Sequence, residues 1–158
     1  MTIDKNKLVE AAKENGKAGC SCSEAIAKAF ARYVGIDEGQ AMAAVSGLAG
    51  GMGLMGEVCG VVAACMVILG LKYGPRSMDD LARRRMAMGK AMEFAQSFEE
   101  ECGSLLCRDL SQGAQLRTEE DARALRESGR PERLIGSGAQ ILVEMLEKPF
   151  PDLKEGSV

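Results

Sequence analysis

Six cysteines are the side chains of this 158-residue chain best suited to reactivity: Cys20, Cys22, Cys59, Cys65, Cys102 and Cys107. Histidine is absent. That removes Ser-His-Asp triads, Cys-His dyads and every histidine-ligated metal or haem site. A general acid or base must then be a carboxylate, lysine, tyrosine or thiol. A thiolate is both a nucleophile and a ligand for soft metals, so the cysteines point to thiol–disulfide exchange or to metal binding.

Cys59 is the leading candidate. It follows a glycine-rich run and falls in the first turn of an apolar helix, where free N–H groups and a partial positive charge favour thiolate over thiol. The alternative is a buried, inert cysteine. Cys65 lies six residues on. That spacing turns it roughly 120° away around a helix, so the two sulfurs do not share a face and Cys65 reads as core. Cys20 and Cys22 form a Cys-Ser-Cys unit beside a helix start, able to serve one metal or a dithiol. Cys102 and Cys107 flank a break in CGSLLC. Neither pair has the C-x-x-C spacing of zinc or thioredoxin-type sites. Three cysteine-bearing segments, each at a helix end or glycine break, would form one thiolate-rich pocket if they converged.

The elements that must position these thiols are helical. Ten Met, no Trp and few other aromatics favour close helix packing over a sheet. Apolar spacing predicts a first helix over 3–15. Ser21 or Ser23 can cap a second to about Val34, and Asp37 with Gln40 can open a third. GLAGGMGLMGEVCG then reads as a loop or a place where two backbones touch, because each glycine would weaken a helix by about 1 kcal/mol. An apolar helix is expected from Glu57 to Tyr73, stopped by Gly74-Pro75. Ser77 can cap a long amphipathic helix carrying Leu81, Met86, Met88, Met92, Phe94 and Phe98, interrupted at Gly103. Residues 111–117 look like a loop. Thr118 with Asp121 starts a polar helix, and Pro131 opens a last one. The expected fold is all-α: a compact bundle or array of about six helices with a glycine-rich segment before a central apolar helix. One domain is expected over 1–148, with 149–158 as a C-terminal tail that frays.

Several function classes drop out. The net charge of −3 lacks the basic footprint of nucleic-acid binding. Arg83-Arg84-Arg85 reads as a solvated helix face rather than a polyanion site. GMGLMG satisfies G-x-G-x-x-G, but it follows a helical pattern instead of a strand, has no acidic residue at the right distance and no G-K-[ST]. The start of the chain has no apolar signal core, and the longest apolar stretch, Val58 to Leu71, is too short to span a bilayer. A cytoplasmic location without membrane insertion is therefore expected. In such a compartment six cysteines suggest redox or metal work over structural disulfides.

The segments CSEAIAKAF, GGMGLMGEVCGVVAACMVILGLKYG and FEEECGSLLCRDL resemble the C_GCAxxG_C_C family, whose redox activity is inferred from its cysteines. The resemblance runs from about residue 20 to about residue 146. It implies that Cys22 is the first family cysteine, Cys59 that of the Cys-Gly motif and Cys107 the one near the Gly-Ser break. The last family cysteine normally opens the C-terminal helix, where this chain reads RPERL. Val61 and Ala64 stand where the family has small Ala and Gly. Cys20, Cys65 and Cys102 are then additional thiols.

Three readings follow. The first is a redox-active protein whose thiol–disulfide chemistry centres on Cys59 with Cys22 and Cys107, and Cys20, Cys102 and Cys65 as secondary thiols. Its partner would be a redox protein or a small thiol or disulfide. The second is an iron–sulfur or soft-metal (zinc, copper) protein using Cys22, Cys59, Cys107 and Cys20. The third is a helical partner-binding protein with structural cysteines. Cofactor, substrate and oligomeric state are open at this level.

Overall fold

A computed structural model describes residues 4–114 and 116–148. The tail expected to fray, PFPDLKEGSV, lies outside them. The elements in chain order are α1 (Lys5–Lys17), α2 (Cys22–Phe30), α3 (Glu38–Val45), α4 (Ala49–Met52), α5 (Gly60–Tyr73), α6 (Leu81–Cys102), α7 (Cys107–Leu110), α8 (Glu119–Glu127) and α9 (Arg130–Glu147). Among the described residues there is no strand, only an isolated antiparallel bridge between Val58 and Leu106. The fold is all-α; beyond the longer helices foreseen, α7 is a single turn, and α4 is a turn of left-handed backbone at Gly50, Gly51 and Met52 rather than regular helix. No helix among the described residues is long and apolar enough to cross a membrane.

Capping explains most helix starts. Ser21 accepts a hydrogen bond from the Glu24 N–H while the Glu24 carboxylate accepts from the Ser21 N–H, a reciprocal capping box that fixes the first turn of α2. Thr118 and Asp121 do the same for α8. Asp37 opens α3 by accepting from the Gln40 N–H. Three boundaries differ from expectation. α2 ends at Phe30, and a separate 3-10 turn covers Arg32–Val34. Asp80, not Ser77, caps α6, its carboxylate accepting from the Arg83 N–H. The central helix begins at Gly60 rather than Glu57, because residues 57–59 run extended to pair with 105–107.

α5 sits at the centre. Its apolar side chains face every direction, and Val61, Val62, Ala64, Cys65, Ile68 and Leu69 have no exposed surface. A helix apolar all round must be enclosed, and α2, α6 and α9 enclose it. Burying each of its larger side chains contributes about 1.5–3 kcal/mol. α1 packs on α2 and α9 to close the array.

α6 corrects one expectation. Met86, Phe94 and Phe98 are buried, whereas Leu81, Met88 and Met92 are 52%, 61% and 64% exposed. At about 100° per residue these six cannot share a face; the aromatic pair turns inward, stacked with ring centroids 5.9 Å apart. Arg83 is another correction. It is half-buried, donating from Nε to the Gly74 carbonyl and from Nη2 to that of Lys72, so it ties the end of α5 to the start of α6. Arg84 and Arg85 are exposed.

α9 approaches α5 closely at Gly138, where a Cβ would collide with Val61 Cγ1. The bulk of Val61 is thus accommodated by the missing side chain opposite. Gly138→Ala is expected to destabilise the fold by about 1–3 kcal/mol through overpacking. Adding Val61→Ala to that variant should recover much of the loss, so urea denaturation of the two single variants and the double should show strong coupling. Simple additivity would mean that the two positions do not press on one another.

Candidate functional site

Cys22, Cys59 and Cys107 all stand at helix starts that face one another. Cys22 is the first residue of α2, Cys59 the N-cap of α5 and Cys107 the first residue of α7. Backbone pairing holds two of them together. The Cys59 N–H donates to the Leu105 carbonyl at 2.8 Å, and the Cys107 N–H donates to that of Glu57 at 2.7 Å. The Arg108 N–H continues the ladder to the Gly56 carbonyl at 3.1 Å. Since Val58 opposes Leu106, Cys59 and Cys107 project from the same side of this short ladder as diagonal neighbours.

Glycines allow the approach. Gly51 is buried with φ +73°, and a Cβ there would lie 2.6 Å from Cys107 Cβ and 2.7 Å from the Glu57 nitrogen. Only glycine satisfies both the left-handed backbone and the missing volume. Gly60 brings α5 onto the start of α2: a Cβ there would lie 3.3 Å from the Ser23 nitrogen. Ser23 itself is buried and donates its hydroxyl to the Val45 carbonyl at 2.9 Å, tying α2 to the end of α3.

The electrostatics reverse one expectation. Helix-start N–H groups do act on Cys59, those of Val61 and Val62, and they lower its pKa. Burial outweighs them and pushes the thiol up to about 11. Cys22 is pushed up to about 12, by burial first and then by the neighbouring sulfurs of Cys59 and Cys107. Cys107 is raised by burial alone. The three sulfurs therefore share one poorly solvated region, in which a first thiolate opposes a second. All six cysteines are free thiols in this structure.

The other thiols lie around this group. Cys65 is fully buried in the α5–α9 contact, its Sγ 3.8 Å from the Gly138 carbonyl, and burial raises its pKa. Cys102, at the end of α6, is half-buried; burial raises it, a hydrogen bond with Ser137 and the charge of Arg133 lower it, and Glu101 raises it. Of the adjacent carboxylates Glu99, Glu100 and Glu101, the one that acts on this thiol is Glu101. Cys102 also acts on Cys59, which places it at the edge of the group. Cys20 lines a separate cleft of about 210 Å³ with Gly16, Lys17, Pro131 and Glu132. Among the described residues no three His, Cys, Asp or Glu side chains are arranged to hold a metal ion.

One feature escaped sequence reasoning. The loop after α7 folds back over Cys107 and forms a cleft of about 280 Å³ with Leu54, Met55, Arg108 and Arg117. Only the glycines of the 50–56 run signalled a close approach there. No local pattern announces that Gly113, Ala114, Leu116 and Arg117 line a cleft with Cys107.

An all-α array that gathers thiols at its helix starts is the setting of a cysteine-based family. The family model described as "Putative redox-active protein (C_GCAxxG_C_C)" matches residues 20–145, and the chain belongs to that family. No curated protein and no solved structure matches it.

Two measurements check the site. Alkylation of the native protein near neutral pH should label Cys107 before Cys59 and Cys22, since burial raises all three thiols but pushes Cys59 up to about 11 and Cys22 up to about 12, which suppresses their thiolate most strongly. Equal labelling rates would contradict the desolvation described. Stability should also depend on alkaline pH. The folded pKa values of Cys59 and Cys22 exceed the ordinary 9.0, so their contribution is complete below that pH and is lost as pH rises toward about 11 and 12. Each thiol adds a slope of about 1.4 kcal/mol per pH unit within its window. Urea unfolding across that range should show the decline, and Cys22→Ser should flatten it.

Proposed function

We propose that the protein carries out thiol–disulfide exchange, with Cys59 and Cys107 as the redox pair and Cys22 as a third thiol able to take over from either. The carrying observation is the ladder that sets residues 57–59 beside 105–107, with Cys59 and Cys107 on one side of it. Cys107 is the entry thiol. It is half-buried and lines an open cleft, whereas Cys59 is only 3% exposed. In the reduced state the poorly solvated sulfurs keep their protons. Exchange then proceeds through the small thiolate fraction at Cys107, and Cys59 or Cys22 resolves the mixed disulfide. Two protein thiols give up two electrons and two protons, and a partner disulfide becomes two thiols. A disulfide needs Cα atoms about 4.4–6.8 Å apart, and diagonal neighbours in a regular ladder sit about 7–8 Å apart, so closing the bond draws the two segments together. Membership of a redox-active family supports the reading.

Treatment with diamide followed by mass-spectrometric mapping is expected to reveal a Cys59–Cys107 bond. Cys107→Ser should divert Cys59 to Cys22, and Cys65 should remain a thiol throughout. Six unchanged thiols after oxidation, in protein that is fully folded, would defeat the proposal.

A further inference from the structure

We propose that the cleft over Cys107 receives a small disulfide bearing carboxylates, and that Arg117, assisted by Arg108, selects its charge. This rests on the exchange reading above and adds the substrate class. The cleft, about 280 Å³, has the size of a small molecule. Two arginines, Arg108 and Arg117, are among its lining residues. Arg108 pairs with Glu57 at 2.9 Å, but both side chains are about half exposed, and such a pair is weakly held. Arg117 has no carboxylate partner among the described residues. An arginine fork matches a carboxylate with two parallel hydrogen bonds.

The apolar side of the cleft is built at a cost. Leu54 and Met55 are 59% and 67% exposed, so they contribute little to the core. Leu54 is moreover held at φ +65°, and Met52, two residues before it and outside the cleft lining, at φ +64°, where residues other than glycine are disfavoured. Strained backbone that displays apolar side chains beside a reactive sulfur is typical of a binding rim. Leu54 and Met55 would cover the carbon chain of the ligand while the arginines hold its carboxylates.

The chemistry balances without another reagent. Cys107 Sγ attacks one sulfur of R–S–S–R, forming the Cys107–S–S–R bond and releasing R–S⁻, which takes up the proton Cys107 gave. Cys59 Sγ then attacks Cys107 Sγ, forming the Cys59–Cys107 bond and expelling the second R–S⁻, which takes up the proton from Cys59. Two protein thiols are oxidised and one disulfide is reduced to two R–SH.

Three disulfides of similar size and different charge test this: dithiodiglycolate (anionic), hydroxyethyl disulfide (neutral) and cystamine (cationic). The full-length reduced protein is mixed with each at low salt, adducts are mapped by mass spectrometry, and every rate is divided by that of a free small thiol with the same reagent. The anionic reagent is expected to react first at Cys107 and about tenfold faster than the cationic one after this correction. Salt should narrow the gap, and Arg117→Glu should abolish or invert it. Equal corrected rates, a preference untouched by Arg117→Glu, or first reaction at another cysteine would overturn the charge selection while leaving exchange intact. Failure of all three reagents to oxidise the folded protein would overturn exchange and this inference together.

Discussion

The arrangement depends on a few backbone hydrogen bonds between residues 56–59 and 105–108. These segments lie far apart in the chain and belong to no regular sheet. Their pairing does three things at once. It delays the start of α5 to Gly60, it starts α7 at Cys107, and it turns Cys59 and Cys107 to one side. Two glycines of the 50–56 run, Gly51 and Gly56, leave room for that pairing. Gly51 lies against both strands of the ladder, and any side chain there would force them apart.

A tension runs through the site between two effects on the same sulfur. Helix-start N–H groups favour thiolate at Cys59, and desolvation disfavours it. Desolvation wins because the N-cap of α5 is covered by α2 and by the 105–107 segment rather than open to water. The consequence is a group of thiols held on the protonated side, with Cys59 buried and Cys22, Cys102 and Cys107 partly exposed. The same geometry leaves Cys65 packed in the core and sets Cys20 in a different cleft.

Much of the fold could be read residue by residue. Ser21 with Glu24, Asp37 with Gln40 and Thr118 with Asp121 start helices as their local chemistry dictates. The errors came where a neighbour decided. Arg83 looked like one of three solvated arginines, yet the free carbonyls at the end of α5 draw it in. Met88 and Met92 looked like core because they are apolar, but their side of α6 has no facing helix among the described residues. The loop over Cys107 carries no periodicity at all, so its role was invisible.

Composition and spacing alone determined that this is a helical protein whose candidate reactive groups are thiols, because those properties depend on side-chain type and on periods of a few residues. They also separated Cys65 from Cys59, since helical geometry sets that angle locally. Which sulfurs share a cavity, and how far burial raises their pKa values, could only be decided by tertiary structure. Both quantities depend on atoms contributed by residues tens of positions away, and on the water those atoms exclude.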